Sequence, residues 1–258
     1  MMILKKQYIA YQAIVLNEIV RILRIWSQSL LPPAITMALY FIIFGALIGS
    51  QLHSIEGFSY VQYIAPGLIM MPIITASYVN TLGSFYMAKF HRNIEEVLVS
   101  PMPNYIILLG YVSGSVIRAS FIGGIVTIVA LFFTHVQMHH LFFAILIVFL
   151  ASILFALIGF TNAIFAKSFD DISFVPNFIL TPLTYLGGVF YSIKLLPTVW
   201  RHVSLFNPVV YIINVFRYGF LGISDVNIAI ALGVILLFIV VFFMIDLYLL
   251  RRGVGVRE

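Results

Sequence analysis

The chain contains no cysteine, which excludes disulfides, thiolate nucleophiles and Cys-ligated metals. Charge is scarce too: 9% of its 258 residues are Asp, Glu, Lys or Arg, where a soluble domain carries roughly 25%. No Gly-x-x-x-x-Gly-Lys-Ser/Thr run occurs, so no loop is present to cradle nucleotide phosphates. The alternating strands of a transmembrane barrel are missing. The first thirty residues lack an apolar core ending in a small-residue cleavage site, so no cleavable signal peptide is expected. Neither inverted nor parallel repeats are visible, which weakens a secondary-transporter reading.

What is present is apolar. Hydrophobic residues make up 62% of the chain, with 24 Phe and 14 Tyr, in several runs long enough to cross hydrocarbon. The expected fold is an all-α polytopic membrane protein, one domain over 1–258 with six transmembrane helices. The net charge of +5 is no nucleic-acid signal, because the basic residues lie at the ends of spans and form no patch.

Residues 3 to 28 read as an amphipathic helix in the interface plane. Leu4, Tyr8, Tyr11, Val15, Ile19, Ile22 and Trp26 form its apolar stripe, and Lys5, Lys6, Asn17, Arg21 and Arg24 lie away from it. Spans are expected at about 30–50, 60–88, 105–133, 141–166, 172–190 and 226–250. Pro66, Gly67 and Pro72 should kink the second span. Gly110 and Gly114 make a small-xxx-small pair that admits close helix packing. His135, His139 and His140 fall in a short loop without Cys or carboxylate, an ordinary polar loop before a metal site. Ser168, Asp170 or Asp171 can cap the fifth span. Residues 191–225 are too broken for a lipid-exposed span and too apolar for a free loop, so short re-entrant helices are expected.

With six spans drawn, Lys5, Lys6, Arg21, Arg24, Lys89, Arg92, Lys167, Arg251, Arg252 and Arg257 share one side. Lys194, Arg201 and Arg217 fall on the other, which places both termini in the cytosol. One polar island, 89–104, then faces the cytosol between spans two and three. Phe90, Ile94, Val97 and Leu98 would share one face of a short helix that Pro101 and Pro103 end. A plain solvated loop fits the same residues.

An amphipathic N-terminal helix, six spans, an acidic island ending in Ser100-Pro101, Gly187-Gly188-Val189-Phe190-Tyr191 and a later Asn207-Pro208 together resemble the ABC-2 type permeases of bacterial exporters. The resemblance covers essentially the whole chain. It implies an inner-membrane homodimer bound to two copies of a separate YadG-type ATPase, with ATP and magnesium held by that partner and no cofactor or catalytic residue here. It implies a coupling helix bearing Arg92, Asn93, Glu95, Glu96, Ser100 and Pro101. It also implies a cargo path between protomers along spans two and five, which offers Tyr78, Asn80, Phe85, Thr181, Thr184 and Tyr185.

A self-sufficient channel would need a ring of polar or charged residues, and the spans show only scattered Ser, Thr, Asn and Tyr. A membrane enzyme would need ionisable groups that converge, which the six His do not. Arg118 is the strongly basic residue deep in a span, roughly 20 Å along the third. It should face the bundle, a dimer interface or a wet cavity, with a structural pairing favoured over cargo binding. Asp246 is placed too near the cytosolic face to partner it.

Overall fold

The computed structural model describes residues 2–49, 54–94, 102–134 and 138–255. Among these the chain is mostly helical and has no strand; helices are joined by turns and loops, with one isolated bridge between Ile55 and Phe58. The long helices are α1 (Met2–Arg24), α2 (Trp26–Tyr40), α3 (Tyr60–Phe90), α4 (Asn104–Phe133) and α5 (Leu141–Phe165). Shorter elements follow: α6 (Phe169–Val175), α7 (Thr181–Tyr185), α8 (Thr198–Ser204) and α9 (Pro208–Leu221), before the long α10 (Ile228–Arg252).

Local chemistry sets these bounds. Ser59 and Gln62 close a capping box at the start of α3, each side chain accepting the other's backbone N–H. Ser168 and Asp171 do the same for α6, as the sequence leads one to expect. Backbone N–H groups of Lys167 and Ser168 on the Asp171 carboxylate hold its pKa below the usual aspartate range. Asn207 and Asn227 cap α9 and α10. Gly222 and Gly253, at φ +74° and +67°, end them in the left-handed conformation.

Five helical stretches are long and apolar enough to cross a membrane: Trp26–Gly45, Tyr60–Phe90, Asn104–Phe133, Leu141–Phe165 and Ile228–Arg252. The first is α2 running on into a π-helical stretch, Phe41–Ile48. The expected fifth span of the sequence has a different form. Helix runs unbroken from Phe169 to Tyr185, but as α6, a π-helical segment over Pro176–Leu180, and α7. Pro176 and Pro182 lack the N–H that a regular α-ladder needs, and Thr181 Oγ1 donates to the Pro176 carbonyl at 2.9 Å.

Helix α3 is the axis of the bundle. Nearly all of it is buried, with α4, α5 and α9 packed around it. Helix α10 lies outermost, on α5 and α9, and shows Leu237, Val240 and Met244 to the surroundings. Small residues allow the closest approaches: a methyl at Gly123 would come within 2.8 Å of Ile73, and one at Gly219 within 2.9 Å of Ala144.

The Gly110/Gly114 pair is a close-packing site, and its occupant is α1. Ile14 lies over Gly110 and Glu18 over Gly114, each where a methyl would come within 2.6 Å. The docked face of α1 shares Tyr11, Val15, Ile19 and Ile22 with the expected stripe and adds Ile14 and Glu18, which the stripe left out. Glu18 and Ile22 are buried and Ile14 is half-buried, whereas Tyr8, Leu16 and Val20 stay exposed. Arg21, expected among the outward polar residues, points into the bundle instead. Glu18 and Asn80 give it partners there that no periodicity rule counts.

Candidate functional site

Three constellations of polar residues stand out in this apolar bundle. The first joins α1, α3 and α4. Glu18 is 4% exposed, so its carboxylate needs partners inside the protein. Arg21 Nη2 donates to its Oε2 at 2.6 Å, Asn80 Nδ2 donates to the same oxygen at 3.2 Å, and Ser84 donates to Oε1. Asn80 is the hub. Its Oδ1 accepts from Arg21 at 2.9 Å and from Arg118 Nη1 at 3.1 Å, while Nδ2 also donates to Ser115 Oγ at 2.9 Å. Thr81 and Ser115 share a further hydrogen bond of 2.5 Å. Sequence reasoning finds Arg118 and Asn80 but misses Glu18, although it is the sole acidic residue before Glu56.

This cluster separates two cavities. One, of about 240 Å³, reaches Glu18, Arg21 and Ser84 past His91 and Asn93 at the end of α3. The other is a groove of about 420 Å³ walled by α2, α3, α4 and α7, with Arg118 on its side. Thr181, Thr184 and Tyr185, three residues expected along the cargo path, line this groove. The other three lie elsewhere. Tyr78, Asn80 and Phe85 are fully buried within the chain. Tyr78 accepts from Asn162 Nδ2 at 2.8 Å, and the Phe85 ring lies 4.2 Å from that of Phe160. Spacing along α3 does not reveal that this helix is enclosed on nearly all sides.

The second constellation lies at the end of α3. Lys89 Nζ donates to the carbonyls of Ile164 and Ala166 at 2.9 and 2.8 Å, tying α3 to the last turn of α5 just before the Ser168 cap. Arg92 stands at φ +60°, so α3 stops there, and a new helical stretch begins at Asn93. Arg92 and Asn93 are exposed and Ile94 is buried. Glu95, Glu96, Ser100 and Pro101 lie outside the described residues, as do Val97 and Leu98. A cavity of about 470 Å³ opens here among Lys89, Arg92, Ile94, Lys167 and Gly255.

The third constellation sits at the opposite end of α3 and was not legible in advance. Arg217 of α9, 1% exposed, donates from Nη2 to the Gly188 carbonyl at 2.6 Å and places its guanidinium 4.1 Å from the Tyr63 ring centre. Its Nη1 lies 3.9 Å from Asp225. Asp225 also accepts from Ser192 Oγ at 2.8 Å and from the Ile193 backbone N–H at 3.0 Å. Lys194 bridges Glu56 and Asp225 at 3.1 and 3.5 Å, and the bond to Glu56 raises its pKa. The Gly187-Gly188 turn is thus a backbone acceptor for a buried arginine, with Gly188 at φ +80°.

Nearer the α9 end of the fold, the loop histidines serve as packing groups. The His139 and His140 backbone N–H groups donate to the Phe220 and Gly219 carbonyls, and the His140 ring stacks on Tyr218 at 4.6 Å. His135 lies outside the described residues. No group of three or more metal-ligating side chains occurs among the described residues.

Asp246 of α10 is fully buried against α5, where Thr161 Oγ1 donates to its Oδ1 at 2.6 Å. It is not a partner of Arg118, whose acceptor is Asn80.

Comparison with known proteins agrees with this architecture. The chain is 54% identical over 251 residues, 97% of its length and 98% of the relative's, to the inner membrane transport permease YadH of Escherichia coli K12. It is 27% identical over 209 residues, 81% of each chain, to nodulation protein J of Rhizobium leguminosarum bv. viciae. The similarity to nodulation protein J of Rhizobium meliloti is 25% over 249 residues, 96% of this chain and 91% of that one. The family model for ABC-2 type transporters matches residues 9–221, from the docked α1 to the end of α9, and so the chain belongs to the ABC-2 type transporter family.

Proposed function

We propose that this chain is the membrane permease subunit of an ATP-driven exporter, working in the bacterial inner membrane as a homodimer with two copies of a YadG-type ATPase. The observation that carries the reading is near-full-length identity to an inner membrane transport permease, in a chain without a phosphate-cradling loop. The reading gives six crossings, with the fifth at about 172–190 and interrupted by the π-helical segment, both termini in the cytosol, and α8 and α9 as re-entrant outer helices. The exposed apolar face of α1, including Tyr8, Leu16 and Val20, meets lipid at the cytosolic interface.

In this reading the ATPase engages the island that follows α3, through Arg92, Asn93, Glu95, Glu96, Ser100 and Pro101. The Lys89 clamp gives the push a rigid route. A force on the end of α3 reaches the end of α5 and the capped start of α6, and the helical run from α6 leads on to the groove wall at α7. Thr181, Thr184 and Tyr185 then line the cargo path at the dimer axis. Tyr78, Asn80 and Phe85 support it from within the protomer.

The test is purification of Glu95→Ala/Glu96→Ala with the ATPase. The permease should insert at wild-type yield, while ATPase recruitment falls or hydrolysis uncouples from transport. Unchanged complex yield, hydrolysis and transport would return the island to a plain connecting loop. A conducting, stable permease that never retains an ATPase would favour a stand-alone facilitator.

A further inference from the structure

The groove beside Arg118 combines surplus positive charge with unspent hydrogen-bond donors. In the cluster behind it, one carboxylate, Glu18, faces two guanidinium groups, Arg21 and Arg118, through a shared amide, Asn80. Among the described residues one positive charge is left over in this cluster, with Arg21 partly open to solvent and Arg118 half-buried. A cation there without a counter-charge is costly, so something in the working protein should offset it. The buried Nε of Arg118 has no hydrogen-bond partner, and neither does the buried hydroxyl of Ser29 on the opposite wall. Apart from Thr36, the groove's other hydroxyls are already engaged. Thr75, Thr181 and Thr184 donate to carbonyls of their own helical runs, and the Tyr40 and Tyr185 hydroxyls bond each other at 2.5 Å. No Asp or Glu lines the groove among the described residues, and most of the remaining wall is apolar, as at Met37, Met71 and Ile122.

We infer that this groove binds the anionic headgroup of an amphipathic cargo, a phosphate monoester of an alkyl chain, with Arg118 as the residue that selects it. The inference deepens the exporter reading and rests on it for the word cargo; the binding chemistry does not depend on the ATPase. An anion against Arg118 restores charge balance to the cluster and takes up the unspent donors, and the apolar walls take the chain. A neutral amphiphile gains only the walls. A cationic one meets the surplus charge.

The experiment uses the full chain, purified with its ATPase and reconstituted in nanodiscs of zwitterionic lipid. The probes are three photoreactive analogues with one alkyl chain and different heads: alkyl phosphate, alkyl maltoside and alkyl trimethylammonium. Crosslinked peptides are mapped and affinities taken from the concentration dependence of labelling. Alkyl phosphate should label α2, α4 or α7 at the groove about tenfold more tightly than alkyl maltoside, with the trimethylammonium analogue weakest. Arg118→Gln should remove that preference and leave maltoside labelling unchanged, and Arg118→Lys should retain part of it.

Equal labelling by the three heads in the wild type would overturn the inference, and this comparison stands even if Arg118→Gln does not fold. So would a phosphate preference that persists in a monodisperse Arg118→Gln protein. Inorganic phosphate that displaced the alkyl phosphate at equal affinity would show a free-anion site and overturn the amphiphile assignment. Failure of the ATPase to co-elute or to hydrolyse ATP in the same sample would count against the exporter reading, separately from the headgroup result.

Discussion

The two arginine clusters at different levels of α3 are built from similar parts and differ in their charge balance. In the outer cluster Arg217 and Lys194 face Asp225 and Glu56, two positive against two negative groups. That cluster fastens the Gly187-Gly188 turn, the 3-10 turn at Ile193–Leu195 and the start of α10 to α3. The inner cluster sets two arginines against one carboxylate, and one of the two lines an open groove. A balanced cluster serves to lock elements together. An unbalanced one beside a cavity has electrostatic work left for a ligand.

The largest effect should come from breaking the lock. Arg217→Met leaves Asp225 buried with Lys194 alone and removes the tie to Gly188. A loss of about 3 kcal/mol is expected, read as a shifted midpoint when SDS is titrated into the protein in mild detergent. The folded fraction should keep its preference for alkyl phosphate, since the groove is untouched. Loss of that preference in folded protein would show that the two clusters are not independent.

Next comes the inner carboxylate. Glu18→Gln removes the negative charge beneath two guanidiniums and weakens the bonds from Arg21 and Ser84, for about 2 kcal/mol of stability. It also raises the surplus charge beside the groove, so alkyl phosphate should bind more tightly than to wild type. Destabilisation and tighter anion binding in one variant would be hard to obtain from packing damage alone.

Gly114→Ala sharpens the comparison sterically. A methyl there meets Glu18 Cβ at 2.6 Å, where a backbone-anchored atom has little room to retreat. Helix α1 should shift away from α4, costing about 1 to 2 kcal/mol and lowering alkyl phosphate affinity, with the outer cluster unaffected. Protection of the α1 amides in hydrogen exchange would fall, while those of α9 would not.

The smallest effect is a pH dependence outside both clusters. The Asp171 carboxylate has its pKa lowered from the ordinary 3.8, chiefly by the Lys167 and Ser168 backbone N–H groups. Its contribution to the α6 cap is therefore complete above about 3.8 and fades as pH falls through the lower folded value. Asp171→Asn should therefore lower stability slightly at neutral pH and remove the fall through that acid window, so that the two profiles converge below it.

Much of this architecture was legible in the sequence. The long apolar runs mark α2, α3, α4, α5 and α10, because hydrocarbon demands some twenty apolar residues in each crossing. The Ser168 cap and the small-residue face at Gly110 and Gly114 could be read as well, since each depends on a few neighbouring residues. The polar part of the docked face of α1 could not be read. A stripe counted by hydropathy assigns Glu18 and Arg21 to the outside, and only the presence of Asn80, Ser84 and Gly114 on two other helices makes the inside favourable. The enclosure of Tyr78 and Phe85 was equally hidden, because α3 has polar and apolar residues around its whole circumference.

The sequence by itself determined the solvent of this protein and its family, through the length and composition of its spans and the motifs between them. Those properties are local or additive, so they survive without knowledge of contacts. Tertiary structure alone decided which charges meet. Lys194 and Glu56, or Glu18 and Arg118, are far apart in the chain, and whether their charges cancel depends on which element faces which. Fourteen basic and nine acidic residues cannot all be paired; the packing of α1 and α9 against α3 and α4 decides that one cluster is balanced and the other is one charge short.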